Sequence, residues 1–98
     1  GGEMIVINAE FYIVPEQKKQ FLNEISELIQ ASRKEEGCLS YQLYEAVTDE
    51  NNFVMVEKWE NQQAIELHNA TSHLQNFAKK VPDYSRDAPK ITVSFVKE

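Results

Sequence analysis

Glu57 and His68 are the residues whose types and placement most readily do chemistry in this 98-residue chain. From Phe53 to Glu60 the sequence alternates as a strand does, which puts the Glu57 carboxylate in one row with Phe53, Met55 and Trp59. An unpaired charge in such a row is costly to bury, so Glu57 requires a partner or a water-filled cavity. His68 lies on a helical stripe with Ala64, Leu67 and Thr71, which turns it toward the same interior. An inward imidazole beside an inward carboxylate can work as an acid/base pair, the carboxylate fixing the imidazole tautomer. The same pattern also suits a structural hydrogen bond, or a Glu57 that reaches water near its strand end.

The other reactive side chains are less constrained. His73 follows His68 by five positions, about 140° around an unbroken helix, so the two share a ligand only through a break at Thr71-Ser72. Ser72 as a helix cap with His73 in the first turn is the alternative. No metal site is expected: Cys38 is the one cysteine, and neither HExxH nor CxxC occurs. Cys38 itself, after Gly37 at a strand start, fits a small buried hydrophobe better than a nucleophile. The absence of GxSxG, a phosphate loop or a dinucleotide glycine fingerprint predicts no cofactor. Tyr41, Trp59, Met55 and Phe11 fall in inward rows, where they either fill a core or line a flat apolar pocket for an aromatic ligand.

These residues need elements to hold them. Met4 to Val14 alternates as a first strand, and Pro15 opens a helix carrying Phe21, Leu22, Ile25, Leu28 and Ile29 until Gly37 stops it. Cys38 to Val47 and Phe53 to Glu60 form a hairpin across Thr48-Asp49-Glu50-Asn51-Asn52. Asn61 caps a helix over Gln62 to Ala70, which Thr71-Ser72 break and recap before Leu74, Phe77, Ala78 and Val81; Pro82 ends it. A loop from Asp83 to Pro89 leads to a last strand, Lys90 to Val96. The βαββαβ order predicts an α+β, ferredoxin-like fold with the helices on one face of an antiparallel sheet. Ile5, Ile7, Ala9, Phe11 and Ile13, then Leu39, Tyr41 and Leu43, and finally Ile91, Val93 and Phe95 are the rows expected beneath the helices. The opposite face mixes Val6, Tyr12, Tyr44, Val54, Val56 and Val96 with polar residues, which suits a homodimer interface.

A chain of this size forms a single domain, expected over residues 4–98, with Gly1, Gly2 and Glu3 reading as an expression remnant. Its net charge of −6 and lack of any basic cluster disfavour nucleic acid and anionic membrane surfaces. With no spanning segment and a single cysteine, a cytoplasmic setting is expected.

Arg33-Lys34-Glu35-Glu36-Gly37-Cys38 with Tyr41, then Glu57-Lys58-Trp59-Glu60, then His68 with Thr71-Ser72-His73, occur in an order that resembles the antibiotic biosynthesis monooxygenase (ABM) family, in particular its small quinol-monooxygenase-like members. The resemblance runs from Met4 to Val96. It implies a dimeric α+β barrel that oxidises quinols or related phenols with molecular oxygen, without metal or flavin. Such chemistry is reasonable, because a deprotonated hydroquinone can pass an electron to oxygen itself, leaving the protein to supply a base and a dry pocket. By resemblance His68 is the proton acceptor, Glu57 its orienter or a substrate partner, Trp59, Tyr41 and Phe11 the pocket walls, and His73 a stabiliser of the anion. Leu74 to Val81 lacks the axial histidine of the haem-degrading branch. The family's isomerase- or aldolase-like members keep a hydroxyketone substrate open as an alternative, as does a non-catalytic dimeric module that binds a small ligand.

Overall fold

The computed structural model describes residues 3–97. Gly1 and Gly2, assigned to an expression remnant, lie outside the described residues, whereas Glu3 already pairs with Lys97 in the sheet. The elements run β1 (Glu3–Ile13), a short 3-10 turn (Pro15–Gln17), α1 (Lys18–Arg33), β2 (Cys38–Glu45), β3 (Asn52–Trp59), α2 (Gln62–Asn69), α3 (Ser72–Tyr84) and β4 (Ser85–Lys97). All pairings are antiparallel and the strand order is β2-β3-β1-β4, the ferredoxin-like arrangement read from the sequence.

Helix positions follow local chemistry. Pro15 sits in the turn that leads into α1, and Phe21, Ile25 and Leu28 fall on its buried stripe. The Asn61 side chain accepts from the Ala64 amide at 2.9 Å, capping α2. At the break that follows, Thr71 rather than Ser72 is the cap: its Oγ1 accepts from the Leu74 amide at 3.3 Å. The stripe on α2 also differs from expectation. Ala64, Ile65 and His68 face inward, while Leu67 points out and is 61% exposed.

Two further departures have physical causes. Pro82 does not end α3, which continues to Tyr84. It falls in the last turn, and the buried Tyr84 ring packs against Phe21 and Phe77, so tertiary contact holds the turn that Pro82 weakens. Of the expected loop over Asp83 to Pro89, Asp83 and Tyr84 finish α3, and Ser85 to Pro89 are the first residues of β4. Register shifts against Glu10, Tyr12 and Ile13 absorb its extra residues, and β4 is an edge strand, where a proline is tolerated.

A comparable irregularity moves Leu39. Cys38 pairs with Trp59 and Ser40 with Lys58, so the bulge ejects Leu39, which is 52% exposed, and gives its inward place to Cys38. Beyond the bulge the predicted parity returns, with Tyr41 opposite Glu57 and Leu43 opposite Met55. Ile91, Val93 and Phe95 pair with Ala9, Ile7 and Ile5 and so share the helix-side face, but the helices do not cover them; all three are exposed. The core lies beneath α1, α2 and α3 over β1, β2 and β3. At one end Phe11, Phe21, Phe53, Phe77 and Tyr84 pack together. Tyr41, Trp59 and His68 pack at the other.

Candidate functional site

Between these two aromatic clusters a cavity of about 380 Å³ opens between α2, α3 and the sheet. Its wall is mainly apolar, from Phe11, Met55, Ile65, Leu74 and Val81, and its polar groups include Tyr41, Glu57 and His68. That composition and size are those of a small-molecule site. The mouth lies beside the uncovered residues Ile91 and Val93.

His68 is held from three sides. The Trp59 ring lies beneath it, with centroids 4.6 Å apart, and the Tyr41 ring stands edge-on at 5.5 Å. Its Nδ1 meets the Glu35 carboxylate at 2.9 Å, and its Nε2 faces the Tyr41 hydroxyl at 3.5 Å. An ionised carboxylate only accepts, so with Glu35 ionised Nδ1 carries the hydrogen and Nε2 is left with its lone pair. Burial and the nearby Glu57 charge push the Tyr41 hydroxyl well above its ordinary range, which keeps it neutral beside that nitrogen.

The partner expected for His68 was Glu57, and here the structure differs. Glu57 is buried as the strand parity requires, but its Oε1 accepts from Trp59 Nε1 at 3.0 Å. Removal from water raises its pKa to about 7, the indole hydrogen bond opposes the shift, and the Glu35 charge adds to it. Glu57 therefore exchanges its proton near neutrality at the cavity wall, while Glu35 orients the imidazole.

Glu35 comes from the turn between α1 and β2, and the sequence explains how that turn reaches α2. Gly37 has φ +87°, and a Cβ there would lie 2.5 Å from the Cβ of Ala64. Only glycine allows both the left-handed backbone and the close approach. The Glu60 amide donates to the Gly37 carbonyl at 2.9 Å, and Arg33 Nε donates to the Tyr41 carbonyl at 3.0 Å, fixing the turn from both sides.

Among the remaining candidates, Phe11 and Tyr41 line the cavity and Trp59 does not; it is fully buried behind His68. His73 also lies outside the cavity. Its Nε2 meets Glu35 Oε2 at 2.6 Å, and the ring borders a separate groove lined by Glu24, Glu27, Leu28 and Lys80. Cys38 is half-buried, and desolvation reinforced by the charges of Glu35 and Glu57 pushes its thiol up, which is unfavourable for a nucleophilic thiolate. Glu35 was missed as a site residue. Its signal was its place in the Arg33 to Cys38 stretch, whose irregular backbone carries no periodicity from which to read a direction.

Comparison with known proteins bears on the family and the fold. The family model described as antibiotic biosynthesis monooxygenase matches residues 4–80. YcnE of Bacillus subtilis (strain 168), which bears a provisional monooxygenase name, is 47% identical over 77 residues, covering 79% of this chain and 81% of that protein. A crystal structure of an antibiotic biosynthesis monooxygenase superposes with a TM-score of 0.83 at 28% identity, over 96% of this chain and 97% of the other. The structure of Rv0793 from Mycobacterium tuberculosis superposes with a TM-score of 0.91 at 23% identity, over 97% and 96%, and so shares the fold. With its ferredoxin-like sheet and a match over most of its length, the chain belongs to the antibiotic biosynthesis monooxygenase family.

Proposed function

We propose that the protein is a cofactor-independent monooxygenase that oxidises a small quinol or related phenol with molecular oxygen, acting as a homodimer in the cytoplasm. The observation that carries this reading is the apolar cavity of about 380 Å³ with His68 in its wall, backed by the carboxylate of Glu35. His68 Nε2 takes the phenolic proton, and the resulting phenolate is electron-rich enough to transfer an electron to oxygen. Oxygen then bonds to a ring carbon and water leaves, carrying the second oxygen atom, the ring hydrogen and the proton returned by His68. The balance is one phenol and one dioxygen in, one quinone and one water out. Phe11, Met55 and Val81 keep bulk water from the anion, which raises the worth of each polar contact inside. Glu57, close to neutrality in its protonation, hydrogen-bonds a substrate oxygen.

Oxygen uptake on a panel of hydroquinones and naphthols tests the reading. His68→Ala is expected to slow turnover by roughly 10²–10⁴-fold, the usual worth of a general base. An unchanged rate in that variant, or turnover of a hydroxyketone without oxygen, would overturn it. The half-apolar face formed by Val6, Tyr12, Val54 and Val56, with Tyr44 50% and Val96 41% exposed, supports pairing with a second copy.

A further inference from the structure

We infer that Glu35, His68 and His73 form a binding site for a divalent zinc-like ion behind the wall of the substrate cavity, sharing His68 with it. One donor atom from each of the three lies within 4.8 Å of the other two. Glu35 Oε2 is the common point, 2.9 Å from His68 Nδ1 and 2.6 Å from His73 Nε2. A zinc ion bound at about 2.0–2.2 Å to imidazole nitrogen and carboxylate oxygen needs donors roughly 3–4 Å apart, so small side-chain shifts admit it. The chain can make those shifts: Glu35 rides on a turn, and His73 stands in the first turn of α3 with its side chain 31% exposed.

The surroundings accommodate the ion, whose binding would suspend the base role proposed for His68. When Nδ1 of His68 turns its lone pair to a metal, the ring hydrogen moves to Nε2, where the Tyr41 oxygen at 3.5 Å can accept it. Outer partners of this kind orient metal-bound imidazoles. The groove that reaches His73 offers an entry path with Glu24 and Glu27 on its wall, and its cation Lys80 is already paired to Glu24 at 2.8 Å. Two imidazoles with one carboxylate select zinc, cobalt or nickel over magnesium and calcium, which prefer oxygen ligands.

Calorimetric titration with zinc chloride, after dialysis against a chelator, tests the site on the intact chain. The expected result is one ion per chain at roughly micromolar affinity or tighter, with no heat from magnesium chloride. His73→Ala removes a half-exposed ligand and leaves the core untouched; zinc affinity should fall at least about tenfold while the melting temperature without metal holds. Cobalt(II) bound to the parent should give visible ligand-field bands that Glu35→Gln weakens. Absence of zinc binding in the parent, or the same affinity in His73→Ala, would refute the site.

Discussion

A carboxyl group buried against an indole keeps a proton that water would have taken from it. For Glu57 that raises the folded-state pKa from 4.5 to about 7, so folding binds a proton between those values. The unfolded chain binds fewer protons there, and stability must fall as pH rises through this window, by up to roughly 3 kcal/mol, and level off above it. Glu57→Gln preserves an acceptor for Trp59 Nε1 and abolishes the titration. Urea denaturation at pH 5 and pH 8 should therefore show a variant whose stability is nearly flat and exceeds the parent's at the higher pH. Glu35→Gln acts differently: it keeps the shape of the contact to His68 but can donate to Nδ1 and so hold the hydrogen on Nε2. Oxygen uptake should drop by roughly 10–100-fold, with KM for the phenol little changed. The inward Glu57 was legible in the sequence because alternation along β3 fixes direction residue by residue. The partner of His68 was not, since a residue in a turn has no period to point it.

The turn itself decides whether Glu35 reaches the imidazole. Gly37→Ala places a methyl group against Ala64 and forces an L side chain into φ +87°, so it should destabilise the fold by about 1–3 kcal/mol and lower kcat by displacing Glu35. Adding Ala64→Gly to that variant removes the steric part alone; partial recovery of both the urea midpoint and kcat is the expected outcome. At this scale α1, the hairpin of β2 and β3, and the Asn61 cap could all be read from periodicity and turn chemistry. The bulge at Leu39 and the bulged start of β4 could not. The first inserts one residue and the second two, their cost offset by pairing alongside, Cys38 with Trp59 and Asp87 with Tyr12, and such compensation has no local signature.

Across the whole molecule, apolar surface is distributed unevenly. The helices bury the rows on β1, β2 and β3, yet Ile91, Val93 and Phe95 on the edge strand stay exposed beside the mouth of the cavity. Two of them, Ile91 and Val93, belong to its wall, so the same side chains border the proposed substrate and the solvent. If the second copy that pairs through the open sheet face also reaches over this edge, the pocket is fully closed to water only in the assembled pair. Turnover per chain would then depend on how much protein is in the tube: specific activity should decline on serial dilution in step with dissociation measured by sedimentation, giving an apparent order in enzyme above one. Strengthening the pair would sharpen catalysis without touching a residue that meets the phenol.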